Sequence, residues 1–215
     1  MGYRGRIFSV GVVALFNLLW YFYYHVYFAL PFKLSFFYLT FIFLIVAWWC
    51  GKQFDRAKFY SERDPLTNTY NRRTIEKIFN KLIKSGKNEN RKVAVIMIDL
   101  DDFKGVNDAL GHQQGDEMLI GTANLLQKVV GKENIVTRWG GDEFVVFLHH
   151  MLGKSVAAYI QEIQCGGIER ISVNGEREVM SIGYAMYPED GTNLEALTRK
   201  ADKEMYTAKN LKLAT

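Results

Sequence analysis

Arg138-Trp139-Gly140-Gly141-Asp142-Glu143-Phe144 lies between two apolar runs, Ile135-Val136 before it and Val145-Val146-Phe147-Leu148 after it. Apolar runs flanking a glycine pair predict a β-hairpin, here one whose tip carries two acids. The glycines are expected to take positive φ at no steric cost and to leave room for a large ligand against the backbone. Acids beside such a gap point to a divalent cation and to the phosphates it neutralises.

A second acidic strand end lies about forty residues upstream, in Val93-Ala94-Val95-Ile96-Met97-Ile98-Asp99-Leu100-Asp101-Asp102-Phe103-Lys104. Val93 to Ile98 is an unbroken apolar run, the pattern of a strand buried on both faces. Strand alternation puts Asp99 and Asp101 on one face and Leu100 on the other. Hard oxygen ligands there and another at the hairpin tip make a Mg²⁺ site of the kind used in phosphoryl transfer. Each acid alone reads equally well as a solvated strand end; it is the combination that points to a metal.

In this combination the chain resembles the GGDEF diguanylate cyclase family. The resemblance runs from about Asp64 to Lys209 and rests on motifs in order. Asp64-Pro65-Leu66-Thr67-Asn68-Thr69-Tyr70-Asn71-Arg72-Arg73 is similar to the opening D-x-L-T-G-L-x-N-R-R, with Asn68 and Thr69 in place of Gly and Leu. Asp99 to Lys104, Asn107-Asp108, Gly111-His112, Gly115-Asp116, the intact signature at Gly140 to Phe144, Ser181-Ile182-Gly183-Tyr184-Ala185, and Ala201-Asp202 through Ala208-Lys209 follow. The resemblance implies a palm-like α+β domain with a central, mainly antiparallel sheet flanked by helices. It implies condensation of two GTP into cyclic di-GMP with release of pyrophosphate. Asp99, Asp142 and the Leu100 carbonyl would hold Mg²⁺, with Mn²⁺ as the alternative ion. Asn107 and Asp116 would read the guanine edge, and Lys104 would stabilise charge on the phosphates. Lys209 would be a phosphate contact. Asp142 or Glu143 would help deprotonate the attacking 3′-hydroxyl, and His112 would either touch the nucleotide or cap its loop.

The chain departs from the family pattern at two places. The R-x-x-D product-inhibition site that many members carry is represented by Gly131 and Asn134, so that site is expected to be absent. The usual arginine beyond Ala-Lys falls on Leu213, leaving that contact missing or supplied by Lys212.

The first fifty residues are of another class. Ile7 to Leu30 and Leu34 to Cys50 are apolar and aromatic, each close to the length a bilayer-spanning helix needs, with a break at Pro31-Phe32-Lys33. The first run is too long for a signal peptide and a second follows at once. Arg4 and Arg6 precede the first run, and Lys52, Arg56 and Lys58 follow the second. Both ends are therefore expected in the cytoplasm, as a multi-pass protein of the inner membrane. Residues 1–50 are read as a transmembrane hairpin, 51–63 as a helical linker continuing inward, and 64–215 as the catalytic domain. In this family such a linker helix often pairs in a dimer, and a homodimer is expected here.

Net charge is +4, from 27 Lys and Arg against 23 Asp and Glu. Arg4, Arg6 and Lys33 supply three of those charges, so the remainder offers no strong field for a nucleic-acid backbone. No nucleic-acid partner is expected; the partners are GTP, the lipid bilayer, a second copy, and a membrane or cytoplasmic signalling protein. Cys50 and Cys165 form neither a disulfide framework nor a C-x-x-C. Helices are expected over 71–85, 103–110, 117–130, 155–164 and 193–209, with 111–115 a loop and 86–91 a polar loop. Strands at 170–173 and 178–186 are expected to form a hairpin around Asn174-Gly175. A catalytically silent GGDEF module binding GTP or a partner is the alternative function.

Overall fold

The computed structural model describes residues 2–31, 34–84, 92–151, 153–168, 172–173, 176–177 and 180–213. The loop expected at 86–91, the Asn174-Gly175 turn, Phe32-Lys33 and the Leu213 side chain lie outside them. The chain divides into two compact units, Met1–Glu62 and Arg63–Thr215.

In the first unit α1 (Arg4–Tyr21) passes into a π-helical turn, Phe22–Tyr27, and α2 (Leu34–Glu62) packs back against α1. Both helices are long and apolar enough to cross a membrane. α2 runs without a break through the expected linker, because Gly51 to Glu62 contains no proline and keeps good helix formers. The few polar groups among the apolar ones join the pair. Thr40 donates to the Asn17 amide oxygen (2.8 Å), and the Ser9 hydroxyl donates to the Ala47 carbonyl (2.7 Å). Asp55 accepts from the Gly5 amide (2.8 Å) and the Arg6 guanidinium (3.2 Å), so a carboxylate of α2 caps the first turn of α1.

The second unit is built on a five-stranded sheet in the order β1-β3-β4-β2-β7. The strands are β1 (Tyr70–Asn71), β2 (Val93–Leu100), β3 (Ile135–Arg138), β4 (Glu143–Leu148) and β7 (Met180–Tyr187). All pairings are antiparallel except β1 with β3. β2 lies between β4 and β7 and all its residues are buried, as its apolar run required. Its alternation sorts two cores. Ala94, Ile96, Ile98 and Leu100 pack with α5 (His112–Val130) and α6 (Val156–Ile168). Val95 and Met97 pack with α3 (Arg72–Lys84) and α7 (Leu194–Leu213). Asp99 continues the second set, which puts it on the α7 side.

Four expectations are corrected. The loop expected at 111–115 is the first turn of α5: Gly111 alone, at φ 85°, reverses the chain after α4 (Phe103–Leu110), and the helix starts at His112. The strand from 178 is not the hairpin partner of 170–173. Val173 pairs with Glu176 and Ser172 with Arg177, so β5 (Ser172–Val173) and β6 (Glu176–Arg177) close on each other, leaving β7 to pair with β2. α6 and α7 extend to Ile168 and Leu213, because no proline or helix-stopping turn follows Gln164 or Lys209. Neither Gly140 nor Gly141 is among the described residues with positive φ; a Cβ on Gly140 would press on the Glu143 carboxylate at 2.6 Å, whereas one on Gly141 would meet nothing.

Gly183 of β7 marks where α7 crosses the sheet. A Cβ there would lie 2.2 Å from both the Ala201 carbonyl oxygen and the Met205 amide nitrogen. Only a glycine lets the two backbones approach so closely.

Candidate active site

β3 and β4 form the expected hairpin, with Trp139 to Asp142 as its tip. The turn is closed by the Glu143 carbonyl, which accepts from the amides of Trp139 (2.8 Å) and Gly140 (3.3 Å). Arg138, a residue without an expected role, braces it. Its guanidinium donates to the Gly141 carbonyl (2.7 Å through Nη2) and to the Asp64 carboxylate (3.2 Å). Asp64 also accepts from the Thr67 amide (2.9 Å) and hydroxyl (2.7 Å). The D-P-L-T stretch is thus a brace for the signature turn. A basic residue two positions before the glycine pair was the only signal available for it.

Burial pushes the Asp64 carboxyl up, but the Thr67 donors and the Arg138 guanidinium outweigh it and hold the group below its ordinary value. Its folded value therefore lies below the unfolded one of about 3.9, and its contribution to stability is complete above that pH. It disappears as pH falls through the lower folded value. Comparing thermal unfolding of Asp64→Asn with the parent, we expect a constant deficit between pH 7 and about 5 that shrinks below about 4. A deficit that grows on acidification overturns the assignment.

Asp99 stands opposite Glu143 in the β2–β4 register. The Leu100 amide donates to the Asp142 carbonyl (3.3 Å), tying the strand end to the tip. Asp99 is pushed above the usual carboxylate range by burial and by the charges of Asp142 and Asp101, against the pull of Lys209. Glu143 is likewise pushed up by burial and by Asp99, Asp142 and Asp202. Acids that raise one another in this way form a site with surplus negative charge. Among the described residues no three His, Cys, Asp or Glu side chains converge into a metal cage. Mg²⁺ does not need one: it is held by one or two carboxylates, with water and substrate phosphate completing the shell. Asp99, Asp142 and the Leu100 carbonyl fit that pattern as an all-oxygen donor set.

β2 stops at Leu100, so Asp101 leaves the strand alternation. Asp101 accepts instead from the Ser181 hydroxyl (2.7 Å) and Lys212 (3.0 Å). Lys209, one turn earlier on α7, is paired with Asp99.

The remaining candidates stand on α4 and α5. Lys104 is exposed and Asn107 half-buried one turn further along α4. A Cβ on Gly115 would lie 2.2 Å from the Asn107 Oδ1, so the amide rests directly on the backbone beside Asp116. Asn107 thus lies against the α5 backbone at the residue before Asp116, which is itself exposed. His112 is exposed at the first position of α5.

A model of the diguanylate cyclase GGDEF domain matches residues 61–213. The chain belongs to the GGDEF family. Diguanylate cyclase TpbB of Pseudomonas aeruginosa is 32% identical over 153 residues, covering 69% of this chain and 35% of TpbB. The bifunctional diguanylate cyclase/cyclic di-GMP phosphodiesterase MucR of the same organism is 35% identical over 149 residues, covering 68% of this chain and 22% of MucR. The solved coiled coil and GGDEF domain of DgcB from Caulobacter crescentus, in complex with c-di-GMP, matches with a TM-score of 0.67 at 24% identity. That match covers 74% of this chain and 86% of the other, and it speaks for the fold. The chain spans about a third or less of the length of these curated relatives.

In this GGDEF domain the R-x-x-D position is filled by a hydrogen-bonded knot. The Asn134 amide group donates to the carbonyls of Val130 (2.7 Å) and His150 (3.0 Å). Its oxygen accepts from the amides of His149 and His150, both at 3.0 Å. Gly131 offers no side chain. Titrating cyclic di-GMP into the full chain is expected to leave amide hydrogen exchange over residues 127–136 unchanged. Protection there would show that cyclic di-GMP binds without the ionic pair.

Proposed function

We propose that this chain is a diguanylate cyclase, anchored by residues 1–50 in the inner membrane with its catalytic domain in the cytoplasm. The observation that carries the reading is the intact signature turn, whose Glu143 stands opposite Asp99 in the β2–β4 ladder and whose Asp142 carbonyl accepts from the Leu100 amide. Each domain would hold one GTP, and two domains would meet so that each 3′-hydroxyl attacks the α-phosphate of the other nucleotide. The new bond joins that oxygen to phosphorus, the bond to the bridging oxygen of the β-phosphate breaks, and pyrophosphate leaves. The hydroxyl proton passes to Asp142 or Glu143. Mg²⁺ held by Asp99, Asp142 and the Leu100 carbonyl would supply charge neutralisation at the phosphates. Lys104 and Lys209 would add to it. Holding two nucleotides in line replaces a bimolecular encounter, so dimerisation is part of the mechanism. Residues 51–62 are helical and expose Phe54 and Tyr60, which suits a paired helix between copies or a contact with a signalling partner.

Asn107 and Asp116 would select guanine. An Asn amide and a carboxylate offer both acceptor and donor capacity, and a wrong base leaves buried groups unpaired at about 1–3 kcal/mol each. The test is the full chain in lipid nanodiscs with Mg²⁺ and either GTP or ATP, followed by chromatography of the products. We expect cyclic di-GMP from GTP, nothing from ATP, and a KM for GTP raised about tenfold or more by Asn107→Ala. Equal use of both nucleotides sinks the guanine assignment. No product from GTP favours the other reading, a silent GTP-binding module. The absence of arginine at position 213 is the feature that speaks for that module.

A further inference from the structure

Two lysines of α7, Lys209 and Lys212, clamp two acids at the end of β2, but the clamps differ in kind. Lys212 donates to Asp101 (3.0 Å), to the Met180 carbonyl (2.7 Å) and to the Ser181 hydroxyl (3.4 Å). Asp101 is held in turn by Ser181 at 2.7 Å. That lysine is part of a network of fixed backbone and side-chain acceptors. Lys209 places its ammonium on Asp99, the carboxylate nearest the hairpin acids, and its own side chain is a third exposed while that of Asp99 is 11% exposed. A carboxylate so enclosed and beside the hairpin acids is stabilised by a cation held against it, and Lys209 is that cation here.

We propose that Lys209 is an exchangeable counter-ion, whose ammonium occupies Asp99 until a divalent cation takes that carboxylate, and is then released to the nucleotide phosphates. The proposal rests on the metal site of the proposed function. A dication on Asp99 makes the ammonium surplus, since two cations cannot share one carboxylate without repelling. The ammonium is a point charge on a flexible four-carbon stem, so it can leave Asp99 without α7 moving. Bare metal therefore strands a positive charge, whereas metal arriving with phosphates brings that charge a new partner. Metal and nucleotide binding become coupled through one side chain, and the coupling is reciprocal. Lys212, held by Asp101, the Met180 carbonyl and Ser181, is the fixed post beside it.

The test is Mn²⁺ binding to the full chain in nanodiscs, followed through the paramagnetic resonance signal of free Mn²⁺. It is run with and without the non-hydrolysable α,β-methylene analogue of GTP. Lys209→Met is expected to bind Mn²⁺ alone about tenfold more tightly than the parent, because a charge-assisted hydrogen bond no longer competes. It is also expected to lose most of the extra Mn²⁺ affinity that the analogue confers on the parent. Lys212→Met should leave the affinity for Mn²⁺ alone within about twofold. A lysine with only a structural role would weaken both measurements, and one with only a phosphate role would leave Mn²⁺ alone unchanged. Either result overturns the proposal. Lys209→Gln, checked by circular dichroism, serves if the methionine variant fails to fold. Mn²⁺ binding that persists in Asp99→Ala overturns the metal site itself. Binding that depends on Asp99 but ignores Lys209→Met overturns the counter-ion alone.

Discussion

Asp142→Ala is expected to remove cyclic di-GMP synthesis, by about a thousandfold or more, while the domain stays folded. A divalent cation at a phosphoryl group supplies several kcal/mol of charge stabilisation, and each 1.4 kcal/mol is about a factor of ten in rate. Asp99→Ala should do the same from the other side of the site. The effects on stability should run opposite to those on activity. Asp142 raises the titration of both Asp99 and Glu143, so its removal relieves repulsion in the metal-free protein. Asp99→Ala differs, because it leaves Lys209 without its carboxylate. The measurements are product formation from GTP and thermal unfolding without metal. Near-normal turnover by a folded variant removes that residue from the metal role. A clear loss of stability in Asp142→Ala would contradict the account of the acid cluster.

The second large effect is structural. Gly183→Ala places a methyl group 2.2 Å from two backbone atoms of α7, where no rotamer change can make room. The helix must lift from the sheet, taking Leu197, Ala201 and Met205 from the core they share with Val95 and Met97. Overpacking commonly costs about 1–3 kcal/mol, and a clash with rigid backbone belongs at or beyond the upper end, about 3 kcal/mol or more. Lys209 and Lys212 ride on the same helix, so a variant that still folds should also lose the ion pairs at the end of β2. Denaturant unfolding of the full chain checks the first claim. A midpoint equal to the parent's means α7 does not rest on Gly183 as described.

Most of the candidate site was legible in the sequence because its acids stand where an element ends. The apolar run of β2 sets the alternation that carries Asp99 to the α7 side, and the hairpin follows from two apolar runs around Gly140-Gly141. Three things were not legible. The role of Arg138 depends on Asp64, 74 residues away, and no local pattern announces a contact at that separation. The start of α5 at His112 was hidden because Gly111 and Gly115 look alike in sequence. One turns the chain, and the other sits inside the helix, making room for Asn107. The small β5–β6 hairpin was hidden because its second strand, Glu176–Arg177, is charged and carries no apolar strand pattern, so the next apolar run was paired with 170–173 instead. Only the pairing of β7 with β2 separates them.

The knot at Asn134 also constrains how this chain can change over generations. The side chain uses both ends of its amide, giving hydrogens to two carbonyls and taking hydrogens from two backbone amides. An aspartate of the same shape would keep the acceptor but set a negative oxygen against the Val130 and His150 carbonyls. Acquiring the acid of an R-x-x-D pair therefore costs folding free energy before the arginine at 131 is in place to use it. An arginine at 131 acquired first must also leave the positive φ of Gly131, at 75°. Either change taken alone therefore costs folding free energy, so the two residues of such a pair are easier to lose than to regain one at a time.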